Sequence, residues 1–173
     1  APSKDVYAAI LQDAQYAKGF VPDIAPEYVV FADGFLDSPE WGSASVILPW
    51  LLYQWYADQN TLQHAYPMMK KYLAYLESKS RDHILSYGLG DWFDYGPKQP
   101  GEAQLTPKAV TATSIFYFDA TILAKTATLL NLPKDAAAFQ KLAAGIKRSF
   151  NSQFFNAKTN VYSTGSQTAM SMP

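Results

Sequence analysis

Two stretches of the chain set carboxylates beside tryptophan and glycine. One is "DGFLDSPEWG", Asp33 to Gly42, and the other is "GLGDWFDYG", Gly88 to Gly96. In the first, Asp37 and Glu40 come just before Trp41. In the second, Asp91 precedes Trp92 directly and Asp94 follows two residues later. An indole offers a flat apolar face that can cover the C–H face of a sugar ring, and neighbouring carboxylates accept hydrogen bonds from its hydroxyls. Glycine lets the backbone come close or take a positive φ. The chemistry indicated is carbohydrate binding, with Trp41, Trp92, Asp91, Asp94, Glu40 and Asp37 as candidate binding residues. Plainer roles compete: Trp41 as a plug at the end of a helical ring, and Asp33, Asp37 and Asp94 as turn or capping residues.

Other chemistries find less support. His64 and His83 do not have metal-ligand spacing, so no metal is expected, and no cofactor either. "GLGDWFDYG" opens no helix and has no lysine where a phosphate loop needs one. "STGSQT" carries hydroxyls but no nucleophile elbow. A net charge of −1 without a basic run argues against nucleic acid and acidic membrane surfaces as partners. No apolar stretch is long enough to span a bilayer. The chain has no cysteine, which excludes disulfides and thiolate metal sites but chooses no compartment; periplasm, cytoplasm and the extracellular space are all compatible. The start, "APSKDVYAAI", lacks a signal-peptide layout and an initiator methionine, so it reads as processed or cut from something longer.

The elements that must position the two loops follow from periodicity. Val6, Ile10, Tyr7, Leu11, Ala14 and Ala17 predict a first helix, with Ser3 as its cap and Gly19 as its stop. The next stretch, Phe20 to Gly42, holds three prolines and no period, and reads as a long irregular loop. "SASVILPWLLYQWYAD" is apolar almost all round and predicts a helix buried on most sides, with Pro49 near its start. "NTLQHAYPMMKKYLAYLESKS" has one stripe, Leu62, Met69, Tyr72, Leu73 and Leu76. After the second tryptophan loop the pair returns. "TPKAVTATSIFYFDATILAKTATLL" is apolar on most sides, with Thr106 as cap and Pro107 in its first turn. "KDAAAFQKLAAGIKRSFNSQFF" is amphipathic through Ala138, Leu142, Ile146 and Phe150, and a last helix begins at Ser166. Inner helices covered on both sides, alternating with one-faced outer helices, suit a ring of helical hairpins whose long loops gather at one end. A helical solenoid would alternate similarly, but no strict short repeat is present.

The stretches "DSPEWGSASVILPWLLYQWYAD", "YGLGDWFDYG", "TPKAVTATSIFYF" and "GSQTAMSMP" closely resemble, in that order, the catalytic domain of inverting α-L-rhamnosidases, glycoside hydrolase family 78. The resemblance runs from about Val21 to the C-terminus. It implies an all-α fold, part of an (α/α)6 barrel and about half of the ring, with residues 1–173 a fragment of a single catalytic domain and no separate second domain. It implies that Trp41 and Trp92 line a rhamnose pocket and that Asp91 contacts sugar hydroxyls. The family's general acid is a Glu in an Asp-rich, Arg-Glu motif ahead of the matched region, and its general base is a Glu well after the Gly-Ser-Gln-Thr stretch. Neither motif is in this chain, so no catalytic residue is assigned. Many members carry Asp where this chain has Ser43, a departure that would reshape the pocket if that Asp helps to hold it. The expected partners are a rhamnose-containing glycan or glycoside and the rest of the parent polypeptide, and the isolated chain, expected to be inactive, is also expected to self-associate. The alternatives are a non-catalytic carbohydrate-binding module and a protein-binding helical module. Toroidal cyclases fit less well, because their Asp-rich metal motif is absent.

Overall fold

The computed structural model describes residues 5–29, 31 and 35–173. The proposed cap Ser3 and Asp33 lie outside the described residues. Helix α1 spans Asp5–Ala14 and ends well before Gly19. The chain turns in between: the Gly19 N–H donates to the Tyr16 carbonyl at 2.9 Å, so Gly19 closes a turn and does not end the helix. The stretch expected to be irregular throughout contains one helical turn, α2, Pro39–Gly42. Proline suits its first position, and the Ser38 carbonyl accepts from the N–H of Trp41 (3.1 Å) and Gly42 (2.9 Å).

Two helical hairpins follow. Helix α3 (Ala44–Tyr56) turns through Ala57, in the left-handed region at φ 54°, into α4 (Gln59–Lys79). The Asp58 side chain caps α4 by accepting from Thr61 N–H at 3.0 Å. Helix α5 (Lys108–Leu129) turns through Leu130–Leu132 into α6 (Pro133–Phe154). Connections this short force antiparallel neighbours. Helix α3 packs along α4, α5 along α6, and α5 also touches α3 and α4. Asp135 at the start of α6 binds Lys70 Nζ and Tyr66 Oη of α4, each at 2.8 Å, which ties the two outer helices together.

The stripe of α4 is buried as its period predicts, and the helix runs unbroken through Pro67. Burying side chains such as Leu73, Leu76 and Phe116 stabilises the fold by about 1.5–3 kcal/mol each. Helix α5 is covered on most sides. Helix α3 departs from expectation. It buries Ser45, Val46, Pro49 and Leu52, while Leu51, Trp55 and Tyr56 stay exposed, because the described elements packed on it leave one flank open. The α6 stripe is also corrected. Ala138 is exposed, and the buried face is Ala136, Ala143, Ile146 and Phe150 with Phe139 and Leu142 beside it. A constant four-residue step drifts about 40° round the helix at each step, whereas alternating steps of three and four stay on one face.

Past α6 the turn-rich stretch forms a small antiparallel pair, β1 (Phe155–Asn156) and β2 (Val161–Tyr162), not anticipated from sequence. Helix α7 (Gln167–Ser171) starts where expected, with Ser166 as cap accepting from Ala169 N–H at 3.2 Å. A small apolar cluster of Val110, Phe150 and Ala169 seats it against α5 and α6. Thr106 does not cap α5; Pro107 occupies that position, and the Thr106 hydroxyl is used elsewhere.

Candidate functional site

The two tryptophan stretches come together. Trp41 and Trp92 meet edge to face, ring centres 6.4 Å apart and planes at 88°. Phe35 adds a second edge contact to Trp92 at 5.1 Å, and Phe93 a third at 4.9 Å. The geometry is a corner of aromatic faces, one wall from each stretch, and such edge contacts add about 0.5–1.5 kcal/mol per pair beyond burial.

Ser38, fully buried, joins the two walls. Its N–H donates to Asp23 Oδ1 at 2.8 Å, its hydroxyl oxygen accepts from Leu89 N–H at 2.5 Å, and its carbonyl starts α2. Gly88 makes room for this contact. It sits at φ +98°, and a Cβ there would lie 2.6 Å from Ser38 Oγ. Gly42 is needed for a different reason: a Cβ would lie 2.5 Å from Tyr72 Oη and 2.8 Å from the Val21 carbonyl. Phe93 holds φ +65°, an uncommon conformation for a bulky residue, and its N–H is fixed to the Gly101 carbonyl at 2.8 Å.

The predicted carboxylates fall into two groups. Asp37 and Glu40 face inward from the first stretch. Asp37 accepts a short hydrogen bond from Tyr75 Oη, and burial pushes its carboxyl up against the opposing pull of that bond and of Lys79. Glu40 Oε1 accepts from Thr111 Oγ1 at 2.6 Å. Burial raises this carboxyl too, opposed by the Thr111 hydroxyl and the Lys108 charge. Asp23, which the sequence did not single out, joins them. Burial raises its carboxyl to about 7, helped by Asp37 and Glu40 and opposed by the Ser38 N–H.

Asp94 and Asp91 belong to the second stretch. Asp94 Oδ2 accepts from the N–H of Leu105 (2.7 Å) and Gln104 (2.9 Å). Burial would raise Asp94, but the amides of Leu105, Gln104 and Thr106 outweigh it and hold the carboxyl below the usual range. Asp91 Oδ2 accepts from Thr168 Oγ1 at 2.6 Å and, more weakly, from Thr106 Oγ1 at 3.4 Å. Thr106 Oγ1 lies 2.6 Å from Ser166 Oγ. The hydroxyls of 106, 166 and 168 were missed as site residues. Nothing in the local pattern signals a contact between positions so far apart, although "GSQT" lies in one of the stretches that carry the family resemblance. Ser43 is also explained. Its hydroxyl donates to Oδ2 of fully buried Asp119 on α5 at 2.6 Å, and burial lifts that carboxyl well above the usual range, opposed by the Ser43 bond. An ionised Asp at position 43 could not make that donation. His83 packs against α6, where Gly145 leaves it space: a Cβ on Gly145 would sit 2.8 Å from its Nε2. A cavity of about 500 Å³ is lined by α5, α6, β2 and α7 residues such as Tyr117, Phe150, Tyr162 and Met170, and by neither tryptophan.

Comparison with known proteins supplies the family. Residues 4–173 match the model of the bacterial alpha-L-rhamnosidase six-hairpin glycosidase domain. The chain belongs to this family. An alpha-L-rhamnosidase of Streptomyces avermitilis is 36% identical over 146 residues, covering 83% of this chain and 13% of that protein. The alpha-L-rhamnosidase structure from Dictyoglumus thermophilum superposes with a TM-score of 0.82 at 30% identity, over 94% of this chain and 18% of that one. The Streptomyces avermitilis alpha-L-rhamnosidase complexed with L-rhamnose gives a TM-score of 0.76 at 33% identity, over 87% and 14%. The chain therefore spans less than a fifth of these relatives' lengths. Its stacked hairpins are part of the rhamnosidase (α/α)6 barrel, as the ring of inner and outer helices predicted. In the order of elements, Trp41 lies in α2, just ahead of α3, and Trp92 lies between α4 and α5.

Proposed function

We propose that the chain supplies one wall of the sugar pocket in a glycoside hydrolase that removes terminal α-linked L-rhamnose with inversion. The observation that carries this reading is the edge-to-face meeting of Trp41 and Trp92 from stretches far apart in sequence. Two apolar faces at right angles fit a deoxy sugar, which presents a methyl group and a C–H face together. Asp91 is the carboxylate placed to accept sugar hydroxyls, while Asp94, Glu40 and Asp37 stiffen and polarise the wall through Leu105, Thr111 and Tyr75. Membership of the rhamnosidase family, and the Streptomyces avermitilis relative complexed with L-rhamnose, support the choice of sugar.

Inversion needs a general acid and a general base about 6.5–9.5 Å apart on opposite sides of the scissile bond, with a water beside the base. We assign neither role to this chain. Both belong to further parts of the parent polypeptide, and residues 1–173 are part of one catalytic domain. No cofactor enters this reading.

Titration of the purified chain with L-rhamnose is expected to give a saturable change in tryptophan fluorescence, weakened at least tenfold by W92A. The absence of saturation, or an unchanged W92A titration, overturns the pocket-wall reading. In parallel, the chain is expected not to turn over an aryl α-L-rhamnoside. Turnover comparable to an intact rhamnosidase would place the acid and base within these residues.

A further inference from the structure

The stretch "GSQTAMSMP" ends the chain's order of motifs, and the pocket-wall reading gives it no task. Its hydroxyls nevertheless converge on Asp91. Thr168 Oγ1 donates to Asp91 Oδ2 at 2.6 Å across 77 positions of sequence, and Thr106 Oγ1 reaches the same oxygen at 3.4 Å. Ser166 Oγ lies 2.6 Å from Thr106 Oγ1 and accepts from Ala169 N–H at 3.2 Å.

The direction is set at Asp91, whose Oδ2 accepts from the hydroxyls of Thr168 and Thr106. Thr106 and Ser166 share a hydrogen bond of 2.6 Å in which either hydroxyl can donate. The Thr168 bond, at 2.6 Å, is the short one on the carboxyl group. Oδ2 is thus claimed by the protein, while Oδ1 accepts no hydrogen bond among the described residues. The segment is anchored independently of Asp91: Thr164 Oγ1 donates to the Leu105 carbonyl at 2.9 Å, and Ala169 is buried against Val110 and Phe150.

We propose that Thr168, backed by Thr106 and Ser166, is the positioning residue of the sugar site: it locks the Asp91 carboxylate by one oxygen and reserves the other for a ligand hydroxyl. The ligand class is a polyhydroxylated ring. The proposal rests on the pocket-wall reading for that ligand, whereas the lock itself is a property of the chain. The lock replaces a freely rotating carboxylate with a preorganised acceptor, so ordering Asp91 costs the complex less.

The test uses the 173-residue chain with T168V, T168S, D91A and the T168V/D91A pair, read by L-rhamnose titration and by the side-chain carboxyl 13C resonance of Asp91. Val is close to Thr in shape and removes only the donor. T168V is expected to weaken L-rhamnose binding about tenfold, the size expected for a hydrogen bond to a charged group. T168S, which keeps the hydroxyl, is expected to recover most of that loss. In the D91A background, which has no acceptor for the Thr168 hydroxyl, T168V is expected to add nothing, since it acts through Asp91. The carboxyl resonance should move in T168V and return in T168S. Unchanged binding in T168V, or a loss that persists additively in D91A, overturns the positioning role. If the wild-type chain binds no L-rhamnose, the pocket-wall reading falls, and the resonance alone decides the lock: a carboxyl signal indifferent to T168V overturns it.

Discussion

Asp23 holds the Ser38 amide with one oxygen and buries the other without a partner among the described residues. Its carboxyl is raised to about 7 in the fold, against about 3.9 in an unfolded chain. The native state therefore keeps a proton that the unfolded state releases between those values. This contribution to stability is fully present below about pH 4 and is lost as pH rises through 7. The raised carboxyls of Asp37 and Glu40 act in the same direction. Asp23 is only half-buried, so screening leaves on the order of 1 kcal/mol. D23N, which keeps an acceptor for Ser38 and has no charge to bury, is expected to flatten the slope of stability between pH 5 and 8. Urea midpoints at both pH values read this directly. A wild-type chain no less stable at pH 8, or a D23N chain with the same slope, rules out Asp23 as the titrating group. The sequence pointed to acids beside tryptophan because that adjacency is local. Asp23 and Ser38 act through the fold: one lies outside both tryptophan stretches, and the other is a small hydroxyl with no pattern to mark it.

Helices were legible where one face alone is buried, as in α4, since a period of 3.6 needs nothing beyond the helix itself to express it. The segments between helices were legible only in composition. Leu85, ahead of the second tryptophan stretch, shows why. Both its N–H and its carbonyl pair with the single hydroxyl of Thr113 on α5, at 3.0 and 3.1 Å. A threonine inside an apolar helix reads as a tolerated residue, yet here it substitutes for a strand partner. Thr106 misled in the opposite sense: a hydroxyl just ahead of Pro and a helical run has the look of a cap, while its actual partner is Ser166, 60 positions on. T113V leaves the buried Leu85 amide unpaired and is expected to destabilise the chain by about 1–3 kcal/mol, with T113S costing less. Chemical denaturation measures both, and the tryptophan emission of the native state should shift in T113V if α5 positions the loop. Equal stability of T113V and wild type would mean the loop is held by Ser38 and Gly88 alone.

Across the molecule, the aromatic content divides between a core, a corner and an open flank. Tyr72 and Phe116 fill the core, and Trp41 and Trp92 form the corner that their two stretches predicted. The flank is where the expectation of burial on most sides failed: Trp55 is 79% exposed and Tyr56 59%, with Leu51 beside them on α3. A second set, Tyr117 and Phe118, is exposed on α5. Periodicity says that such a helix is built for covering on most sides, but it cannot say which polypeptide does the covering. Large apolar groups gathered on one helix flank favour association, at roughly 25 cal/mol per Å² of apolar surface removed from water. The isolated chain is therefore expected to show a mass above that of a monomer in light scattering, rising with concentration, and W55E is expected to lower it. A clean monomer at all concentrations would show that the α3 flank is content in water, and that the apolar helix pattern here encodes something other than burial between hairpins.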